Sequence, residues 1–271
     1  MSTASDSRRP GSSSGVRYAL PAGLPLSTLF SVFARSLFLQ ASWNPQGMQN
    51  LGLAYAIYPA LQRLHPRPED LQAAVQRHLT FFNTHPYVAA SIVGGVLFHE
   101  ARIARGEERP ETVVTFKAAL MGPLAALGDG FFWLSLKPAT GAFSAALVPF
   151  IGPWAAVVFL VLYNSVHLYL RARLYWLGLT HGDALVEAVA GARLPQRGAV
   201  LRNVAAASAG GLAAWLAVEF GRQSGSAAGP LLAAGCLGIG LLAYLLMSWR
   251  ITHYGALYLA AGLAVLAGVL I

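Results

Sequence analysis

Apolar and polar residues are distributed along the chain in two different ways. Between residues 25 and 117 they recur at helical spacing with polar faces; from residue 118 onward apolar runs dominate, broken by short basic stretches. In the first part, residues 26–40 form a Leu- and Phe-rich pattern interrupted by Arg35. Residues 47–64 place Leu51, Ala54, Tyr55 and Tyr58 at helical spacing. The run His65-Pro66-Arg67-Pro68 stops this second helix, because proline blocks helix continuation and restricts the residue before it. Glu69 and Asp70 open a third helix, since acids suit the positive end of the helix dipole. Leu71, Val75, Leu79 and Phe82 share its apolar face, and it is predicted to end near Asn83-Thr84-His85-Pro86. The next apolar run, 87–98, is about a dozen residues, short of the ~20 that a spanning helix needs. It reads as re-entrant, interfacial or buried.

In the second part, residues 118–136 are apolar but contain Gly122-Pro123 and Gly128-Asp129-Gly130. Lipid-facing helices exclude an aspartate there, whereas a broken or re-entrant helix lining a cavity accommodates one. Residues 147–170, 204–220, 229–249 and 254–271 read as spans. The pattern predicts an all-α integral membrane protein. It comprises amphipathic N-terminal helices, a broken or re-entrant hairpin segment, and about four C-terminal transmembrane helices. The corresponding regions are a disordered cytoplasmic tail (1–24), an amphipathic helical region (25–117) and a membrane-embedded region (118–271). Lys117, Arg171, Arg173, Arg193, Arg197 and Arg202 flank the apolar runs, which predicts a cytoplasmic N-terminus and a cytoplasmic 171–203 loop.

Composition supports lipid as the solvent. Hydrophobic residues make up 56% of the 271-residue chain and charged residues 11%, against about a quarter in a soluble domain. The net charge is +8, but the basic residues sit between apolar blocks rather than on one polar face, so they do not mark a nucleic-acid binder. The one cysteine, Cys236, lies in an apolar run and reads as a small buried hydrophobe. The Ser- and Arg-rich N-terminus lacks an apolar core and cleavage site, so no secretory signal is predicted.

Three clusters carry candidate chemistry. Gln40, Trp43 and Asn44, followed by Gln49 and Asn50, set amides beside an indole. Amides hydrogen-bond sugar hydroxyls in both directions, and an aromatic face covers the apolar side of a sugar ring. The same residues suit an amide-capped turn with Trp43 as an interfacial anchor. The second cluster, residues 77–86, contains His78, Asn83, His85 and Pro86. Its two histidines read as helix-end caps or, with Glu100 and Asp129, as the makings of a metal-dependent membrane enzyme. The third runs from Lys117 through Gly122, Pro123, Gly128 and Asp129 to Lys137. Asp129 there either accepts hydrogen bonds from sugar hydroxyls, caps a half-helix or pairs with Lys137. No nucleophile triad, phosphate loop or dinucleotide fingerprint occurs.

In this order the clusters resemble a known family. Gln-x-Ser-Trp-Asn…Met-Gln-Asn-Leu-Gly at 40–52, Arg-His-Leu-x-Phe-Phe-Asn-Thr-His-Pro-Tyr at 77–87 and Lys-x-x-Leu-Met-Gly-Pro-Leu-Ala-x-x-Gly-Asp-x-x-Phe-Trp at 117–133 look like the motifs of the IID membrane subunits of mannose-type sugar phosphotransferase systems. The resemblance implies a non-catalytic translocation subunit in a bacterial cytoplasmic membrane. It implies pairing with a IIC membrane subunit, oligomers of that pair, hexose uptake, and phosphohistidine chemistry on separate IIA and IIB proteins. No cofactor or metal is implied. A regulatory or receptor-like IID relative without transport is the alternative in the same family. Carried over, Gln40, Trp43, Asn44, Gln49, Asn50, Asn83, His85 and Asp129 line the sugar path or contact the partner. Pro86, Gly122, Pro123, Gly128 and Lys137 shape the broken-helix elements. Lys137 stands where the family usually has arginine, and Pro45-Gln46-Gly47 departs from the charged residues usual after Trp-Asn.

Overall fold

The computed structural model describes residues 20–224, together with Gly235 and Gly238. The predicted spans at 229–249 and 254–271, Cys236 and most of the predicted N-terminal tail lie outside the described residues. Described residues are helical apart from turns and two isolated β-bridges. The chain divides into two compact units. One contains residues up to Phe131 and Ser165–Pro195; the other contains Phe132–Asn164 and the chain from Gln196 onward.

The first unit begins with α1 (Leu26–Ser36) and α2 (Asn50–Leu64), an antiparallel pair. Both are shorter than the apolar pattern predicts, because residues 37–49 fold into successive turns instead. Pro59 lies inside α2 and lacks the N–H that would bond the Tyr55 carbonyl. Arg35 Nη1 supplies the missing donor at 3.4 Å, and its guanidinium lies 4.8 Å from the Tyr55 ring centroid. The third helix, α3 (Pro68–His78), starts with proline at its first position and Glu69 and Asp70 in its first turn, and carries Arg77 and His78 in its last. The two acids and Arg77 oppose the dipole charge at their ends, and proline at the first position gives up only an N–H that has no helical partner.

The apolar run predicted at 87–98 is α4 (Ala89–Ala104), which extends farther than expected and is buried along most of its length. Its centre admits no bulk. A β-carbon on Gly94 would collide with the backbone of Tyr175, and one on Gly95 with the Phe116 ring. The helix packs against α5 (Pro110–Gly128) and against the later part of α7 (Trp154–His181). That later part also holds α1. The Tyr175 hydroxyl donates to Leu29 O at 2.9 Å, and buried Arg171 donates to Ser36 O at the last turn of α1. Arg171 and Arg173, predicted to follow a span, therefore lie inside a helix, and Arg171 neutralises the carbonyl end of another. A short 3₁₀ turn and α8 (Leu185–Ala190) close this unit.

In the second unit the helical path continues through a π-helical stretch, Asp129–Leu136, whose later part belongs here, into α6 (Lys137–Ile151). The break expected at Gly128–Gly130 is thus a change of helical pitch rather than an interruption, with Asp129 in ordinary right-handed geometry. π-helical turns absorb an extra residue without ending the helix. The helix ends later, at Gly152, whose φ of +57° L-residues rarely adopt, followed by Pro153. This turn splits the predicted 147–170 span and starts α7. The last described helix, α9 (Leu194–Ser224), includes the predicted 204–220 span; Arg202 in its first turns donates to Ser135 Oγ at 3.0 Å.

Among the described residues three helical runs are long and apolar enough to cross a membrane: Pro110–Ile151, Trp154–Ala190 and Leu194–Gln223. In the last, only 6% of the most apolar window is buried within the chain. Such a helix needs lipid or another apolar surface around it.

Candidate functional site

The first two sequence clusters meet in one knot of backbone. Residues 44–50 fold back so that Asn44 pairs with Met48, and Met48 in turn pairs with Phe82. Met48 adopts a φ of +58° to make this turn. Gln49, only 2% exposed, donates from Nε2 to Thr84 O at 2.8 Å and accepts from Thr84 N at 3.1 Å. Its amide thus acts as an added peptide group against Thr84, satisfying a donor and an acceptor that burial would leave costly. Asn44 Nδ2 donates to Asn50 Oδ1 at 3.1 Å, and Asn44 Oδ1 accepts from Gly47 N at 2.8 Å. Asn50 Nδ2 donates to Leu79 O at 2.6 Å. These three amides join the loop before α2 to the segment after α3. Gln40, Trp43 and Asn83 point outward beside them, Trp43 with half its surface exposed.

His85 is buried, and its Nδ1 accepts from Tyr87 N at 3.3 Å. A β-carbon on Gly128 would overlap its side chain, so α5 approaches this turn as closely as glycine permits. The Asn83 amide lies 3.3 Å from Met121 Sδ on the same helix. Tyr87 stacks on His167 with ring centroids 4.1 Å apart. The second and third motifs are therefore in contact. Asp129, one residue beyond Gly128, is exposed and makes no ion pair among the described residues. In the second unit, Lys137 Nζ lies 5.2 Å from the Trp133 ring centroid. Gly122 and Pro123 are exposed on α5, and Gly122 has open space where a side chain would stand.

Beneath the knot is an ionic core that the sequence reading did not assemble. Glu100, fully buried on α4, accepts from Arg77 Nε at 2.7 Å and Nη2 at 2.9 Å, from His65 Nε2 at 2.9 Å and from His78 Nε2 at 2.8 Å. Buried Lys117 donates to Arg77 O at 2.9 Å. The end of α2, the last turn of α3, α4 and α5 thus converge on one carboxylate. The signal was a Glu beside a His at the end of an otherwise apolar run, with Arg77, His78 and Lys117 quoted in the motifs. His78 faces Glu100 while His85 lies against α5, and the described residues contain no group of His, Cys, Asp or Glu arranged to hold a metal.

Burial alone would push the Glu100 carboxyl up, but hydrogen bonds from Arg77, His65 and His78 outweigh it and hold the group well below the carboxylate range. Burial pushes His78 down despite its bond to Glu100. Burial, helped by the charge of Arg171, lowers His85 to about 4. Both histidines are neutral in the fold, so the unfolded chain binds more protons once the pH falls through about 6.5. Stability is expected to drop from there down to about 4, the window set by His85. The Glu100 contribution, complete above ~4.3, is lost at still lower pH. Thermal denaturation in detergent across this range tests the ordering; a melting temperature unchanged from neutrality to about pH 4 would contradict it.

The description "PTS system mannose/fructose/sorbose family IID component" matches residues 24–221. The chain belongs to this family. The mannose-specific EIID component of Escherichia coli K12 is 37% identical over 173 residues, covering 62% of this chain and 60% of that protein. The sorbose-specific EIID component of Lacticaseibacillus casei is 37% identical over 165 residues, covering 60% and 58%. The chain thus spans about three-fifths of the length of the curated relatives it matches. Among solved structures, the mannose transporter ManYZ in complex with microcin E492 contains a chain that is 27% identical, with a TM-score of 0.57 over 90% of this chain and 95% of that one. In this IID chain the three motifs are the segments of the knot: the 40–52 and 77–87 stretches supply its β-bridges and amides, and the 117–133 stretch supplies Lys117, Met121 and Gly128 against it.

Proposed function

We propose that this chain is the IID membrane subunit of a mannose-class, phosphoenolpyruvate-dependent sugar phosphotransferase transporter, working beside a IIC subunit in oligomers of that pair. The observation that carries the reading is the family match across residues 24–221, with its motif residues gathered at one knot. IIA and IIB proteins supply the phosphoryl group, a hexose-type sugar is the cargo, and the chain itself is a conduit rather than a phosphate carrier. It sits in a bacterial cytoplasmic membrane with its N-terminus on the cytoplasmic side.

The division of labour within the knot follows from burial. Asn44, Gln49 and Asn50 hold the shape, since their side-chain amides are engaged by the chain, and His85 joins them through the bond its Nδ1 accepts from Tyr87 N. Gln40, Trp43, Asn83 and Asp129 remain exposed and line the sugar path or the IIC contact. Pro86, Gly122, Pro123 and Gly128 shape the elements that carry them, with Lys137 beyond on α6. Co-purification from native membranes in mild detergent should bring down a very hydrophobic IIC-like protein in near-equal amount. Membranes holding both chains should take up a hexose when given IIA, IIB and phosphoenolpyruvate. A chain that purifies alone, or supports no uptake of any hexose or amino sugar, would end this reading.

Asp129→Asn tests the site within it. The change keeps shape and removes the charge of an exposed carboxylate that makes no ion pair among the described residues. Uptake is expected to fall about ten- to hundredfold, the weight of a hydrogen bond to a charged group, while the IIC partner still co-purifies. Loss of the partner instead would make Asp129 an assembly residue.

A further inference from the structure

A polar cleft of about 520 Å³ opens between the first turns of α1 and the last turns of α2. Ser27, Thr28, Ser31, Gln62 and Arg63 line it, with Pro59 at its floor. None of those five polar side chains makes a hydrogen bond or ion pair with another described residue, and no carboxylate lines the cleft. Other polar side chains of this unit are engaged: Ser36 bonds its own helix, Asn50 bonds Leu79, and Arg77 grips Glu100.

Three features make the cleft complementary to an anion. Its one ionic group is a cation, Arg63, whose planar fork suits phosphate oxygens. It lies at the N-terminal end of α1, where Pro25 offers no side-chain cap and the first amides carry positive partial charge. Thr28, only 5% exposed as a residue, lines the cleft, and its hydroxyl makes no hydrogen bond to another described residue. A neutral sugar would be met by carboxylates and amides offering acceptors; this lining is weighted toward donors.

The geometry points to a phosphate-binding site at Ser27, Thr28, Ser31, Gln62 and Arg63, which takes a phosphate ester either as a phospholipid headgroup or as a soluble phosphorylated sugar. Phe30 and Leu26, both strongly exposed on the same helix, give acyl chains a surface if the phosphate belongs to a lipid. The site is separate from the knot around Gln49 and Phe82, and it stands whether or not the transport reading holds.

The test uses the full chain purified with whatever membrane partner accompanies it. Glucose 6-phosphate is titrated calorimetrically, and retention of phosphatidylglycerol over phosphatidylcholine is read by native mass spectrometry. Saturable binding of one probe is expected, weakened about tenfold or more in Arg63→Ala and in Ser31→Glu, which sets a carboxylate in the cleft. Arg63→Lys should retain part of it, and Arg105→Ala, which removes an arginine already paired with Glu107, should leave it unchanged. Phosphatidylglycerol retention alone identifies the lipid source, and glucose 6-phosphate binding alone the soluble one. Binding of neither probe, or binding that Arg63→Ala and Ser31→Glu leave intact in folded protein, overturns the assignment.

Discussion

Glu100→Ala is expected to cost about 3–5 kcal/mol of stability, enough to remove most folded protein from the membrane. The carboxylate is fully buried and gathers a bidentate arginine and two histidines at 2.7–2.9 Å. Its removal strands the Arg77 guanidinium, whose side chain is 13% exposed, without a counter-charge. Desolvating a charge is expensive, and alanine supplies no oxygens in place of those lost. Removing both partners is a different matter. Arg77→Met with Glu100→Leu should be milder than Glu100→Ala alone, because apolar pairs of similar volume avoid the stranded charge. Thermal melting of the three variants in one detergent decides it. A single variant within about 1 kcal/mol of the parent would show that the cluster is not what joins the four helices.

The second large effect lies where α4 meets α7. Gly178 approaches α4 so closely that a β-carbon would collide with Ser91 O, the Gly95 amide and the Gly94 α-carbon. These are backbone atoms, which cannot rotate out of the way. In an open helical position, replacing glycine with alanine stabilises by roughly 0.5–1 kcal/mol. Gly122 and Gly141, with nothing within 4 Å of a built β-carbon, are such positions. Gly178→Ala should reverse the sign and destabilise by about 1–3 kcal/mol, and Gly178→Leu should abolish the folded first unit. Expression and melting of the Ala variants at 122, 141 and 178 form a controlled series. Equal behaviour at the three positions would mean that the helices are not in backbone contact.

Much of the architecture was legible in the chain. Helical spacing marked α1 through α3, and the Pro66–Pro68 pair marked the boundary between α2 and α3 within a few residues. What misled was the meaning of breakers. Gly128 and Gly130 suggested an interrupted helix, yet the helix runs on through a π stretch, because backbone bonds one register longer satisfy the same carbonyls. Gly152-Pro153 looked internal to a span and is the actual turn, since only its φ, invisible in sequence, separates it from a tolerated helical glycine. The amides of Asn44, Gln49 and Asn50 advertised hydrogen bonding, and periodicity could not say that the chain itself would answer. Long-range partners such as Glu100 with His65 and Arg77, or Arg171 with Ser36, have no local signature at all. They become visible only when four helices are placed together.

The seat of α1 has a bearing on when the protein can be finished. The helix is held by Tyr175 and Arg171, whose partners Leu29 and Ser36 lie 146 and 135 residues earlier. Synthesis proceeds at about 5–20 residues per second, so α1 is made roughly 7–30 s before the residues that anchor it exist. During that interval the carbonyls of Leu29 and Ser36 lack the α7 donors that meet them in the finished chain. Ribosomes stalled before codon 171 should therefore carry α1 in a more protease-accessible form, one that longer chains lose once Arg171 and Tyr175 bind it.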